Sequence, residues 1–263
     1  MAKFCTLASS SSGNCTYISA SSGSILVDTG ISCRRIFNTL ADLGEDAMNI
    51  RAVLLTHEHI DHIKGLSVFL KKTKAEVYAP AAVIREAAYS LMLPDCGLHE
   101  IKANEPFEVS GMLVRAFQTL HDSRDSVGYR IVTPDEHTIA VATDLGIVTD
   151  DVEAGVMGAE TVLLESNYDP FLLKMGPYPP HLKARIASDH GHLSNDDAAA
   201  FACRLIDNGT TRITLGHLSR ENNNPALAEQ TTFDALNVHG AKRGLDYELS
   251  VAPYDDAGRL VRL

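Results

Sequence analysis

Residues 54–66 read LLTHEHIDHIKGL, so three histidines, a glutamate and an aspartate fall within six positions, directly behind a run of aliphatics. Either a solvated loop is polar there, or the chain builds a metal site. The rest of the sequence repeats the arrangement. SILVDTG runs out at Asp28, RAVLLTH at His57, MLVRAFQTLHD at His121, HTIAVATD at Asp144, TVLLES at Glu165 and TRITLGH at His217. Each is an apolar strand candidate that ends in one acidic or imidazole residue. In α/β architectures ligands bind beyond the carboxyl ends of the strands, where loops bring such groups together. A solvated loop accounts for one or two of these six endings, but six in one chain call for a common cause.

Helices fill several of the gaps. IKGLSVFLKKT, after His62, is amphipathic and ends in lysines, as the helix dipole prefers. AAVIREAAYSLM is a second helix. SNDDAAAFACRLIDNG is a third, capped by Ser194 and stopped at Asn208-Gly209. NPALAEQTTFDALNVHG is a fourth, with Pro225 at its start and Gly240 closing it. The alternation predicts two β-sheets flanked by helices in a single domain over residues 1–263. The Ser/Gly-rich stretches at 9–14 and 19–24 are short enough to be turns.

No apolar run approaches the roughly 18 residues of a membrane span. The opening MAKFCTLASSSSGN is no secretory signal, and a cytoplasmic protein is expected. The five cysteines (Cys5, Cys15, Cys33, Cys96, Cys203) are scattered and never spaced C-x-x-C, which argues against a disulfide framework or a thiolate zinc site. A formal charge of −11 argues against general affinity for nucleic acid. Bound divalent cations would invert that field locally, where a phosphate would sit.

HEHIDH is not the H-E-x-x-H of zincins, because position 61 is aspartate. The spacing that holds is H-x-H-x-D-H. His57 and His59 alternate on an extended loop and can reach one metal; Asp61 and His62 are adjacent and can reach a second. Imidazole and carboxylate suit Zn²⁺, Mn²⁺ and Fe²⁺ alike. One loop supplies too few ligands for a catalytic centre, and His121, Asp144 and His217 stand at other strand ends to complete it. We assign His57, His59 and His121 to the first metal and Asp61, His62 and His217 to the second, with Asp144 bridging them.

With these residues the chain resembles the metallo-β-lactamase fold superfamily, whose H-x-H-x-D-H motif stands here as His57, His59, Asp61 and His62. Asp28 in LVDTG matches the aspartate that supports the ligand loop in that family. Within the superfamily, ASSSSGNCTYI, HDSRDSVGYRI, ATDLG, LESNYD, GHLSNDDAA and LGHLSRENN, in that order, resemble the YycJ/WalJ group of nuclease-like proteins. The resemblance implies an αββα four-layer sandwich with two mixed sheets, and two divalent ions, zinc or manganese with iron admissible. HDSRDSVGYRI and GHLSNDDAA also resemble transfer-RNA 3′-processing ribonucleases of the same fold. There a histidine about 25 residues before the last ligand donates a proton to the leaving oxygen, and His192 holds that position here.

The implied activity is a phosphodiesterase or exonuclease on nucleic acid, DNA ahead of RNA. A metal-bound hydroxide would be the nucleophile, with Asp61 orienting it and His192 as general acid. Ser12, Asn14, Ser219 and Asn222 are candidates to hold phosphate oxygens, or are turn residues that satisfy their own backbone. The alternative is a thioester hydrolase of the glyoxalase II type on the same metals. A non-catalytic scaffold would not need seven metal-coordinating groups. No membrane partner is expected, and a homo-oligomer is admissible. Glu58 is left outside the site. Lys174, Lys183 and Arg185 in MGPYPPHLKARIASDHGH read as a solvated face, with a backbone-binding groove as the other reading. His181 and His190 are unassigned; His99, His137 and His239 read as surface residues and Tyr129 as packing.

Overall fold

Alternation along the strands decides the layering. In the strand Ile50–Leu54, Ala52 and Leu54 face one apolar cluster while Val53 faces another, and Ile25 and Val27 are divided from Leu26 in the same way. A strand with apolar residues on both faces must be covered on both faces. This is a computed structural model that describes residues 1–93 and 97–263, so Cys96 lies outside the described residues. The first sheet takes β1 (Lys3–Ser10), β2 (Gly13–Ala20), β3 (Gly23–Val27), β4 (Ile50–Leu54), β5 (Glu76–Pro80) and β6 (Leu98–Ile101). The second takes β7 (Pro106–Val109), β8 (Met112–Gln118), β9 (Val127–Val132), β10 (Thr138–Ala142), β11 (Thr161–Glu165), β12 (Arg212–Gly216) and β13 (Glu248–Val251). The last strand, β14 (Val261–Arg262), returns to the first sheet beside β1.

Among the described residues both sheets have seven strands and both are mixed. The β3-β4-β5-β6 and β10-β11-β12-β13 runs are parallel, and the remaining pairs are antiparallel. Helices α1 (Cys33–Asp42), α2 (Ile60–Ile63), α3 (Leu66–Lys72) and α4 (Ala81–Leu91) follow strands of the first sheet. Three of them bury Ile36, Leu40, Leu66, Phe69, Val83 and Ala87 against its outer face. In the second half come α5 (Asp150–Val156), α6 (Pro170–Met175), α7 (Pro180–Ile186), α8 (Asn195–Asp207) and α9 (Pro225–His239). Val152, Val156, Phe201, Leu205 and Leu236 of this set close the outer face of the second sheet. Between the sheets lies a third apolar layer, with Phe4, Ile18, Ile25 and Leu54 against Val114, Tyr129, Ile131 and Val141. The order is helix, sheet, sheet, helix: the αββα sandwich.

One expected helix is broken. IKGLSVFLKKT becomes α2 and α3, separated at Lys64-Gly65, and α2 itself begins at Ile60 and carries Asp61 and His62. The Gly65 N–H leaves the helix to bond the Thr29 carbonyl at 2.7 Å. A Cβ on Gly65 would lie 2.1 Å from the Ile31 carbonyl oxygen, so this close approach requires glycine. The Ser11-Ser12 and Ser21-Ser22 pairs are the turns between β1, β2 and β3. Among the described residues no helix is long and apolar enough to cross a membrane. Cys5, Cys15, Cys33 and Cys203 are free thiols.

Candidate metal centre

The strands end in one crevice between the two sheets. Asp28 follows β3, His57 lies just beyond β4, Asp144 beyond β10, Glu165 closes β11 and His217 follows β12. Asp28, Asp144 and His217 adopt left-handed backbone, with φ of 62°, 58° and 54°. For a residue with a Cβ that conformation costs about 1 kcal/mol or more and persists only where the surroundings enforce it. Here it turns the chain sharply at the strand end. All three residues are at most 2% exposed.

His57, His62, His121 and His217 are each gripped by one nitrogen. His62 Nδ1 donates to Asp28 Oδ2 at 2.8 Å, and His121 Nδ1 donates to the Gly191 carbonyl at 3.0 Å. His217 Nδ1 donates to Glu165 Oε1 at 3.0 Å. Thr56 Oγ1 gives its proton to Asp28 Oδ2, so at 3.0 Å it accepts from His57 Nδ1. Each grip fixes the ring's orientation and commits Nδ1 as the donor, which turns Nε2 away from the partner and leaves it as the nitrogen that ligates a metal once the ring is neutral. Asp28 therefore braces the ligand loop, receiving the Thr56 N–H as well.

The free nitrogens converge. His57, His59 and His121 offer ligand atoms within 4.8 Å of one another, and so do Asp61, His62 and His217. Asp144 stands between the two groups. Its Oδ1 is 3.7 Å from His121 Nε2 and its Oδ2 is 3.3 Å from His62 Nε2. Asp61 Oδ2 lies 3.5 Å from His62 Nε2 and 3.6 Å from His217 Nε2. His57 Nε2, His217 Nε2 and Asp144 Oδ2 are buried with no hydrogen-bond partner. Buried polar atoms without partners are strongly unfavourable, and three of them pointing into one polar crevice fit a cation.

Ligand spacing does not single out Glu165, although its place at the end of TVLLES marks it. It is fully buried, and Oε1 accepts from both His192 Nδ1 (2.8 Å) and His217 Nδ1 (3.0 Å). Oε2 accepts the Leu145 N–H at 2.8 Å. Burial alone would raise its pKa, but His192 and His217 outweigh burial and hold the carboxyl well below the usual carboxylate range. His192 thereby joins the cluster, its ring centroid 5.0 Å from that of His121 and 5.2 Å from that of His217.

A profile of the beta-lactamase superfamily domain matches residues 24–217, a span that runs from β3 to His217 and encloses every group described above. The chain belongs to the metallo-β-lactamase superfamily. Among members of that superfamily it is 33% identical over 264 residues to exodeoxyribonuclease WalJ of Streptococcus pneumoniae, covering 99% of this chain and 98% of the relative. It is also 33% identical over 254 residues to exodeoxyribonuclease YycJ of Bacillus anthracis, covering 94% and 93%. The metallo-β-lactamase fold protein YhfI from Bacillus subtilis superposes with a TM-score of 0.71 at 17% identity, over 98% of each chain.

Around this metallo-β-lactamase centre the other expected residues take different places. Asn14 is buried and lies at the site: its amide nitrogen is 3.0 Å from His62 Nε2 and bonds the Ser10 carbonyl at 3.0 Å. Ser12 is exposed and its hydroxyl accepts from Arg220 Nε at 3.3 Å. Ser219 and Asn222 are turned inward, with Ser219 Oγ accepting from the Asn222 N–H at 3.2 Å and from its side-chain amide at 3.3 Å. Glu58 Oε1 accepts the Arg124 N–H at 2.8 Å and ties the ligand loop to the loop after His121. His99, read as a surface residue, is half-buried and stacked on Tyr78 with centroids 4.5 Å apart. Tyr129 is a core residue.

Proposed function

We infer that the chain is a metal-dependent phosphodiesterase, an exonuclease acting on DNA, in which His192 is the general acid. The observation that carries this reading is the Glu165–His192 pair beside the metal-ligating cluster. Glu165 accepts the Nδ1 proton, so Nε2 is the ring nitrogen left to give a proton to a departing oxygen. The leaving group decides why such a donor matters. A sugar alkoxide is a strong base that departs poorly without a proton, whereas a thiolate, whose thiol ionises near about pH 8.5, departs without one. A thioester hydrolase on the same ligands has no need of His192. The relatives named exodeoxyribonuclease, similar over nearly their whole length, support the same choice and favour DNA over RNA.

In this reading His57, His59 and His121 hold one divalent ion, Asp61, His62 and His217 hold another, and Asp144 lies between them. When bound, the ions supply a Lewis-acid charge for the phosphoryl oxygens and lower the pKa of water. Asp61, half-buried beside His62 and His217, orients the attacking water in this reading. His192, held by Glu165 and by its own N–H to the Ile186 carbonyl at 2.9 Å, protonates the leaving oxygen. Imidazole and carboxylate ligands are served by zinc or manganese, with iron admissible.

The test compares wild type with His192→Ala on 5′- and 3′-labelled oligonucleotides in Mn²⁺, with metal content read on both proteins. Removal of a general acid slows turnover by about 10²–10⁴-fold at unchanged metal content. A wild type that holds metal and leaves every oligonucleotide intact would end the phosphodiesterase reading on DNA.

A further inference from the structure

Between Asn167 and His192 the chain makes an excursion with both of its roots in the site. At one root Asn167 Nδ2 donates to the His217 carbonyl at 2.7 Å and the Asp169 N–H donates to the Asn222 carbonyl at 2.8 Å. At the other root the Gly191 carbonyl accepts from His121 Nδ1, and His192 itself follows. Arg185 pairs with Asp122, the residue after His121, which ties the middle of the excursion to the ligand loops as well.

What this arm presents outward is unusual for the chain. Of its two helices, α6 buries only Leu173 and α7 buries nothing. Phe171 and Met175, four residues apart and so on one face of α6, are 67% and 66% exposed. Phe171 is the sole exposed phenylalanine among eight. Residues 170–191 also carry Lys174, Lys183 and Arg185 against a single carboxylate, Asp189, in a chain whose net charge is −11. An exposed aromatic ring beside cations is the means by which proteins hold single strands: bases stack on the ring while phosphates follow the charge.

We propose that residues 170–191 form the docking surface for a single-stranded nucleic-acid end whose scissile phosphate lies at the metal centre, with Phe171 stacking on a base and Lys174 facing the backbone. The inference rests on the phosphodiesterase reading and adds to it where the strand lies. Because the arm carries His192 at one end and touches His217 at the other, a strand seated on it runs directly into the catalytic groups.

The experiment measures Mn²⁺-supported cleavage of a labelled single strand of about 20 nucleotides and of a dinucleotide by wild type, Phe171→Ser, Phe171→Trp and Lys174→Gln. Phe171→Ser raises KM for the long strand about fivefold or more while kcat stays within about twofold, and Phe171→Trp restores it. The penalty is absent on the dinucleotide, which is too short to reach the arm. Lys174→Gln makes log KM less steep against log salt by about 0.7. If Phe171→Ser matches wild type on both substrates, the arm is not the docking surface. If it loses equally on both, Phe171 acts through His192 or the fold, and the proposal is equally overturned. If the substitution leaves kinetics intact but dissolves a dimer in sedimentation, the face belongs to a second copy and not to a strand. A wild type that cleaves neither substrate but does cleave double-stranded DNA removes this inference alone, and one that leaves double-stranded DNA intact as well removes the phosphodiesterase reading with it; a wild type that cleaves both substrates while the variants behave as wild type also removes this inference alone.

Discussion

His57 and His217 present the same side chain to the same crevice under opposite electrostatics. Burial, and after it the neighbouring imidazoles of His62, His121 and His59, hold His57 well below the usual histidine range. Burial also lowers His121, with Asp144 opposing it. At His62 burial works in the same direction, but Asp144, Asp28 and Asp61 outweigh it and raise the pKa well above 6.5. At His217 burial is outweighed by Asp144, Asp61 and Glu165, and the pKa is pushed up to about 10. A metal takes only neutral imidazole, so the two groups load differently. A cation entering among His57, His59 and His121 meets His57 and His121 already neutral. A cation entering among Asp61, His62 and His217 must displace protons at neutral pH. Its affinity therefore rises with pH, about tenfold per unit for each displaced proton, until the pH passes the raised pKa values. Titration calorimetry of the metal-free protein in buffers of different ionisation enthalpy reads this directly. The expected result is one binding event with little proton release and a second with substantial release; two events with equal release would contradict it.

At the scale of elements, the ligand loop is positioned by backbone contacts as much as by side chains. The Gly30 N–H bonds the Asn14 carbonyl at 2.7 Å, and the Thr29 N–H bonds the His62 carbonyl at 2.7 Å. A Cβ on Gly30 would lie 1.6 Å from the Asp61 carbonyl oxygen. Gly30→Ala must therefore push α2 away from the loop after β3, carrying Asp61 and His62 with it. The expected outcome is destabilisation of about 1–3 kcal/mol or more together with weaker metal binding by the Asp61, His62 and His217 group, read by thermal denaturation and metal analysis. A variant with wild-type melting and wild-type metal content would show that the loop can yield. The same contacts explain why one expected helix became two. Amphipathic spacing describes the face of IKGLSVFLKKT, but a helix cannot continue through a glycine whose N–H is engaged by another loop.

For the whole molecule, the site exists because two sheets bring their strand ends to one crevice, and bonds across that crevice hold them there. The Tyr129 hydroxyl, fully buried in the inter-sheet layer, donates to the Leu55 carbonyl at 2.7 Å, two residues before His57. The Val127 N–H donates to the Thr56 carbonyl at 3.0 Å. Tyr129→Phe keeps the ring and removes the bond, leaving a buried carbonyl short of a partner. It is expected to lower stability by about 1–2 kcal/mol in urea unfolding without changing metal content. A neutral outcome would mean that this hydroxyl adds nothing to the packing and the Val127 bond that remain.

The strand ends were legible in the chain alone, because a run of apolar residues that stops at a lone histidine or carboxylate marks the point where apolar packing gives way to a buried polar crevice. The sequence also determined the H-x-H-x-D-H cluster, since spacing along one loop is local information. It marked Asp28, Asp144 and His217 without saying that they would turn left-handed there. Glu165 joins the site through folding alone, because its partners His192 and His217 lie 27 and 52 residues away along the chain. Only the tertiary structure turned Ser219 and Asn222 inward and left Phe171 outside. Which side of a short helix meets the core depends on what packs against it, and that is a property of the assembled layers, not of the segment.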